Sequence, residues 1–240
     1  MNRDVLILLM SSLISIAIDG PAASGKSSLA KNIAKKLGFV YLKTGWLYRA
    51  VGLYICQKGI AGDDVKAIEE CIDRAEAKTE ELSVELLYSD GEQKIYLNGV
   101  DVSDEVNSEK IGKYASDVGN IKKVRDFLLA PQRDAANKYN VVLEGRDIGT
   151  VILPNADVKI FLTASPQERA LRRADDESRS YEEILQEIIE RDKQDEGRAI
   201  APLKPAEDAV ILDNSGLVQA ETLSMALNII KEKLPNVDIR

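Results

Sequence analysis

The feature that most constrains this chain is a glycine-rich run that ends in lysine and two serines: Gly20, Pro21, Ala22, Ala23, Ser24, Gly25, Lys26, Ser27 and Ser28. It fits the pattern G-x-x-x-x-G-K-[ST], a loop whose backbone N–H groups surround phosphates. In this pattern the lysine, Lys26, reaches the β- and γ-phosphates, and the serine that follows it, Ser27, helps to hold Mg²⁺. The sequence therefore predicts a binding site for a nucleoside triphosphate.

The residues on either side of the loop predict a strand before it and a helix after it. Residues 14–19 are mostly apolar, as a parallel strand covered on both faces requires. Leu29, Ile33 and Leu37 repeat at helical spacing, and Gly38 stands where a glycine commonly ends a helix. Such a helix directs its unpaired N–H groups and the positive end of its dipole at the phosphates.

Composition excludes several kinds of chemistry. The 240 residues include no histidine, which rules out Ser-His-Asp and Cys-His nucleophilic mechanisms and histidine-liganded metal sites. Two cysteines, Cys56 and Cys71, are too few for a disulfide framework, and we interpret both as reduced core thiols. The net charge of −8 argues against a nucleic-acid partner.

The N-terminal residues resemble the apolar core of a signal peptide. However, the apolar stretch at 5–18 is shorter than the ~20 residues of a membrane-spanning helix. It also runs directly into the phosphate loop, so cleavage would remove the strand that positions Lys26. We therefore predict a cytoplasmic protein with no membrane partner. We also predict that it is a monomer. Residues 1–9 are interpreted as a non-native or disordered extension, with Met10 as the hypothetical start of translation.

The order of apolar runs and amphipathic stretches predicts the fold. Beside 14–19, buried strands are expected at 39–42, 141–143, 158–162 and 209–212. Helices are expected at 44–57, 104–118, 121–138, 166–177, 180–195 and 217–233. This pattern predicts an α/β, three-layer P-loop nucleotide-binding fold with a five-stranded parallel sheet.

Between 61 and 105 the pattern changes. A helix is expected at 63–78, and two strand-like segments, 82–88 and 93–97, flank Asp90-Gly91, a strong hairpin signal. A second turn at Asn98-Gly99 leads into a short further strand. We therefore predict that 61–105 form a small inserted subdomain with antiparallel strands, while 14–60 and 106–240 form the core.

Polar clusters follow the predicted core strands, at the edge of the sheet where ligands bind. Residues 44–49 follow the second strand and residues 144–150 the third. The fourth is followed by a set rich in arginine: Arg169, Arg172, Arg173, Arg191, Asp195 and Arg198. Because guanidinium groups bind phosphate through paired hydrogen bonds, the clusters indicate two phosphate-bearing substrates.

Together these motifs resemble bacterial cytidylate kinase. The resemblance covers nearly the whole chain from residue 14, and it includes T-G-x-x-Y-R at 44–49, G-R-D-I-G-T at 145–150, K-I-F-L at 159–162 and R-x-x-x-D-x-x-R-A-x-A-P-L from Arg191. It implies that the protein phosphorylates CMP, and dCMP, with ATP as the phosphoryl donor and Mg²⁺ as the metal ion. The γ-phosphoryl group would pass by direct in-line transfer. The insert would be the NMP-binding subdomain, and a short lid would lie near 172–198.

The resemblance also implies a role for each residue of the site. Residues 20–28 hold the ATP phosphates, Arg169 stacks on adenine and Arg173 meets phosphate. Acceptor contacts are assigned to Thr44, Tyr48, Arg49, Ser116, Arg125, Arg146, Asp147, Arg191, Asp195 and Arg198, of which Ser116, Arg125 and Asp147 read the cytosine edge. The catalytic set is Lys26, Arg146, Arg191 and Arg198. Lys43 and Trp46 depart from the family pattern, because many members have an acidic residue at the first of these positions and alanine at the second.

Three other interpretations stay open at this point. The same loop would serve a kinase for another small acceptor, UMP or AMP. A GTP-binding switch needs N-K-x-D after a strand, whereas residues 137–140 read N-K-Y-N and precede one. A degenerate binding module would lack the intact Lys26 and Ser27 that this chain retains.

Overall fold

A computed structural model describes residues 13–89, 92–174 and 179–240. Its strands are β1 (Ser15–Asp19), β2 (Val40–Lys43), β3 (Val84–Ser89), β4 (Glu92–Leu97), β5 (Val100–Asp101), β6 (Val141–Gly145), β7 (Val158–Thr163) and β8 (Val210–Asp213). Its α-helices are α1 (Lys26–Leu37), α2 (Gly45–Gln57), α3 (Val65–Glu76), α4 (Glu109–Val118), α5 (Lys122–Ala136), α6 (Pro166–Ala174), α7 (Tyr181–Glu196) and α8 (Gln219–Lys233).

A five-stranded parallel sheet in the order β2-β6-β1-β7-β8 forms the core. Side chains alternate across it, as the two-residue period of a strand requires. Ile16 and Ile18 of β1 pack on one face, in a buried cluster that includes Ile33 of α1 and Ile230 of α8. Ala17 points to the opposite face, in a second cluster with Leu143. The predicted three-layer α/β fold is confirmed.

The small antiparallel sheet has the order β3-β4-β5. The predicted hairpin forms from β3 and β4, while its turn at Asp90-Gly91 lies outside the described residues. The hydrophobic cluster beneath this sheet extends from Leu47 of α2 to Leu128 of α5, well beyond 61–105. These helices therefore share a core with the small sheet, and the bounds of the insert stay a prediction.

Two predicted helices differ in their extent. The helix expected at 104–118 is interrupted, because Ser108 has an extended backbone and its side chain accepts a hydrogen bond from the Ile111 amide at 3.4 Å. A short 3₁₀ turn, Glu105–Asn107, therefore precedes α4. The helix expected at 166–177 is described as far as Ala174. Residues 175–178 lie outside the described ranges, as do the interpretations made for 1–9 and Met10.

Among the described residues, no helix combines the length and apolar character needed to cross a membrane. Cys56 and Cys71 are free thiols, the second of them buried.

Candidate functional site

The phosphate loop connects β1 to α1 and is shaped by glycines. A Cβ at Gly20 would lie 2.1 Å from the carbonyl oxygen of Leu162 on β7, so only glycine fits there. Gly25, at the N-cap of α1, has a φ of +87°, a conformation that glycine adopts without steric cost. The helix consequently begins at Lys26, with its free N–H groups directed at the loop.

Lys26 is buried at the base of this loop. Its ammonium group donates a hydrogen bond to the Pro21 carbonyl at 2.9 Å, and the side chain is only 7% exposed. Burial, aided by the charge of Arg146, lowers the pKa of Lys26 from 10.5 to about 7. A polyanion bound beside Lys26 would restore its charge, so the group is suited to phosphate.

Asp19, the last residue of β1, anchors the segment after β6. Its carboxylate accepts hydrogen bonds from the amides of Ile148 and Gly149 at 2.8 and 2.7 Å, at the start of a π-helical turn, Ile148–Ile152. Burial raises the pKa of Asp19 to about 6, although these two amides oppose the rise. Both oxygens are thus used to hold the segment that follows Asp147.

A cavity of about 260 Å³ opens beside the loop and contains all of the acceptor residues predicted from the sequence. Ala22, Ala23, Lys26 and Ser27 of the loop line it too, whereas the other loop residues, Gly20, Pro21, Ser24, Gly25 and Ser28, do not. Its charged lining comprises Lys26, Lys43, Arg49, Arg125, Arg146, Arg191 and Arg198 against Glu144, Asp147 and Asp195. The cavity is therefore strongly cationic in a chain whose net charge is negative.

One end of the cavity carries a buried ion pair between Arg125 and Asp147. Arg125 also donates to the carbonyl of Gly119 at 3.1 Å, and its guanidinium carbon lies 5.5 Å from the centre of the Tyr48 ring. Burial raises the pKa of Tyr48 to about 12. These contacts hold a carboxylate and a guanidinium edge side by side.

Asp195 joins two of the predicted catalytic arginines. Its carboxylate accepts from Arg146 at 2.8 Å and from Arg198 at 2.6 Å. Burial alone would raise the pKa of Asp195, but the two guanidinium groups outweigh it and hold the pKa below its ordinary value. The arginines are thereby fixed in orientation before any ligand arrives.

Arg191 is the cation best placed to take an anion. It lines the cavity, yet it makes no hydrogen bond or ion pair with any residue that the structure describes. Burial and the neighbouring charge of Arg146 lower its pKa. Arg49 lies nearby and donates to the carbonyls of Val106 and Ser108 at 2.5 and 3.2 Å. The excess positive charge at this point indicates a phosphate-binding position.

Hydroxyl groups complete the lining. The hydroxyl of Ser27 donates to Glu144 at 2.8 Å, and Glu144 also accepts from Tyr41 at 3.3 Å. The hydroxyl of Thr44 donates to the Glu144 carbonyl at 3.0 Å. Ser116 lines the cavity from α4. The loop serine and a strand-end carboxylate thus lie together.

Two residues assigned to ATP, Arg169 and Arg173, do not line this cavity. Arg169 is 2% exposed, bonds Asp192 through both terminal nitrogens and donates to the Ala22 carbonyl at 3.1 Å. Its guanidinium group therefore contacts the phosphate loop and α7, and Arg169 also lines a further cavity of about 370 Å³ together with Pro21 of that loop. Arg173 pairs with Glu187 at 2.8 Å and lines a neighbouring cavity.

The sequence interpretation missed two residues that support the loop. Asp192 neutralises Arg169 from α7, and Asn214 donates to the carbonyl of Ser24 at 3.1 Å. Neither belongs to a motif, and each acts on a partner at least 23 positions away in the chain. Only the folded structure brings them to the loop.

A phosphate loop on a parallel sheet, facing clustered guanidinium groups across one cavity, defines a phosphate-loop kinase, a phosphotransferase. The chain belongs to the cytidylate kinase family, since the model of that family matches residues 16–232. It is 40% identical to the cytidylate kinase of Caldicellulosiruptor saccharolyticus over 93% of this chain and 98% of the relative. It is 42% identical to that of Thermotoga maritima, over 91% and 97%. The resemblance seen in the motifs is confirmed.

Proposed function

We propose that the chain transfers the γ-phosphoryl group of ATP to CMP, and to dCMP, to give the diphosphate and ADP. One observation supports this most strongly: a single cavity is lined by Lys26 of the phosphate loop, by Arg191 and by the Arg125–Asp147 pair. Arg191 has no hydrogen-bond or ion-pair partner among the residues that the structure describes. Two phosphates and one base can therefore be contacted from the same space.

The acceptor base would lie at the Arg125–Asp147 end. The cytosine N4 amino group is a hydrogen-bond donor, and a carboxylate is a suitable acceptor for it. Uracil presents an oxygen at that position, which would face Asp147 unfavourably. Arg125 and Ser116 supply donors for the remaining acceptors on the base edge. This arrangement favours CMP over UMP.

The acceptor phosphate would lie among Arg49, Arg146 and Arg191, with Thr44 beside it. Asp195 and Arg198 would contact the sugar, and Tyr48 would form the wall. Phosphoryl transfer requires alignment of the two nucleotides and neutralisation of the phosphoryl oxygens. Since the attacking phosphate oxygen is already ionised at neutral pH, no general base is needed, and the absence of histidine is consistent with the reaction.

The residues beside the loop also fit Mg²⁺, which prefers oxygen ligands and commonly takes one or two from the protein. The Ser27 hydroxyl and the Glu144 carboxylate lie 2.8 Å apart in the cavity wall. Ser27 would bind the ion, and Glu144 would orient Ser27 or a bound water. Asp19 is less suitable, because both of its oxygens accept backbone amides. The ion would neutralise charge on the β- and γ-phosphates.

Several features of this proposal depend on the resemblance to the family. The insert and the short lid near 172–198 would close over the nucleotides and exclude water. The protein would act in the cytoplasm as a monomer on small nucleotides, within pyrimidine metabolism and without nucleic acid. For Arg169 we infer a positioning role, since it ties Ala22 of the loop to Asp192 of α7.

Phosphorus NMR tests the proposal directly. Incubation with ATP, Mg²⁺ and CMP should produce ADP and the cytidine diphosphate in equal amounts. Release of inorganic phosphate without formation of the cytidine diphosphate would contradict it. Lys26→Ala provides the control, and we expect it to leave ATP unconsumed.

A further inference from the structure

A further cavity, of about 800 Å³, lies beside the phosphate loop, whose Ser27 and Ser28 line it. It runs between α1, the sheet-edge strand β2 and the hairpin of β3 and β4. We name it the β2 groove, and residues that line it include Ser27, Lys31, Lys35, Lys43, Trp46 and Tyr88. Apart from Ser27 and Ser28 of the phosphate loop, none of its lining residues has a role in the function proposed above. The cavity is large enough for a nucleotide-sized ligand.

The β2 groove combines aromatic rings with ammonium groups. Trp46 and Tyr88 line it, and Tyr88 is 38% exposed. Lys31 and Lys35 are exposed and lie one helical turn apart on α1. Neither ammonium group forms a hydrogen bond or an ion pair with another residue in the described ranges. Such rings bind bases by stacking, and free ammonium groups bind phosphates.

Lys43 connects the β2 groove to the catalytic cavity, since it lines both. Its ammonium group lies 5.6 Å from the centre of the Trp46 ring. Its backbone is held by the side chain of Gln93 on β4, which accepts from the Lys43 amide at 2.6 Å and donates to the Lys43 carbonyl at 3.3 Å. The third lysine is thus fixed in position beside the indole.

We propose that the β2 groove binds a nucleoside triphosphate, with its base against Trp46 and Tyr88 and its phosphates on Lys31, Lys35 and Lys43. Three ammonium groups match a triphosphate better than a monophosphate. An extended nucleic acid is disfavoured, because the net charge of −8 repels a long polyanion. The β2 groove adjoins the catalytic cavity, with which it shares Ser27 and Lys43, and its existence does not depend on which acceptor the enzyme phosphorylates.

The fluorescence of Trp46, the single tryptophan of the chain, provides the test. CTP is titrated into the full chain in the presence of saturating CMP and a non-hydrolysable ATP analogue, so that the catalytic cavity is filled. We expect saturable quenching by CTP under these conditions. Quenching that occurs only without the two catalytic-site ligands, or no quenching at all, would overturn the proposal. Tighter binding of a single-stranded oligocytidine than of CTP would overturn it too.

Variants on the exposed face of α1 test whether CTP binds in the β2 groove. The double variant Lys31→Ala, Lys35→Ala should weaken CTP binding at least tenfold, since two charge-assisted contacts are removed. Lys36→Ala is the matched control: it is exposed on the same helix, does not line the β2 groove, and should leave binding unchanged. Equal binding by the double variant and the control would refute the assignment.

Discussion

Replacing Lys26 by methionine should stabilise the ligand-free protein. The ammonium group is buried, and burial is the main cause that lowers its pKa from 10.5 to about 7. A pKa difference of one corresponds to about 1.4 kcal/mol. At pH 7 the lysine therefore costs the folded state about 4 kcal/mol, which methionine, similar in length and uncharged, avoids.

The free-energy cost of burying the Lys26 ammonium group depends on pH. Between pH 7 and 10.5 the unfolded state binds more protons at this residue than the folded state does. Wild-type stability thus gains from a rise in pH across that window. The advantage of Lys26→Met should fall from about 4 kcal/mol at pH 7 to about 2 kcal/mol at pH 9, by the same conversion of pKa into free energy.

Urea denaturation followed by circular dichroism at pH 7, 8 and 9 measures this difference. Lys36→Met is the control, because Lys36 is exposed and should show no comparable gain. ATP should stabilise the wild type but not Lys26→Met, which lacks the contact to the phosphates. A destabilised Lys26→Met variant, or an advantage that is constant with pH, would refute the reasoning.

Three further predictions concern the ligands. Asp147→Ala should raise KM for CMP at least tenfold with ATP binding nearly unchanged, because a hydrogen bond to a charged group is worth about 1.5–3 kcal/mol. Steady-state kinetics with isothermal titration of ATP measures both quantities, and an equal loss of ATP affinity would contradict the assignment. Arg191→Lys should lower kcat/KM for CMP about 10–100-fold through loss of the paired guanidinium contact, and an unchanged value would count against it. Asp192→Asn should weaken ATP binding more than CMP binding, since it removes the ion pair that orients Arg169, which itself bonds Ala22 of the loop. Titrations of the two nucleotides showing the reverse order would exclude that role.

The sequence could predict that site residues lying directly after the ends of strands would come together in one cavity. Parallel strands place their carboxyl ends at one edge. Residues that follow β2 and β6, such as Thr44, Arg146 and Asp147, therefore reach the same cavity as Lys26. The spacing of a motif is sufficient for this prediction, because the sheet supplies the rest of the geometry.

Residues that act through long-range side-chain pairs could not be predicted in this way. Arg169 carries the expected motif, but its environment is set by Asp192, which lies on another helix. Asp19 ends β1 beside the phosphate loop, yet the π-helical turn after β6 presents two amides to its carboxylate. No local pattern encodes either contact, since each depends on how separate elements pack.

The most direct measurement of the central claim is kcat/KM for CMP, UMP and AMP at one saturating concentration of Mg²⁺ and ATP. A site whose Asp147 and Arg125 read the base edge should favour CMP over both competitors by at least about tenfold, since unpaired buried polar groups penalise the wrong base. Equal kcat/KM for AMP and CMP would contradict the assignment of this cavity to cytidine nucleotides.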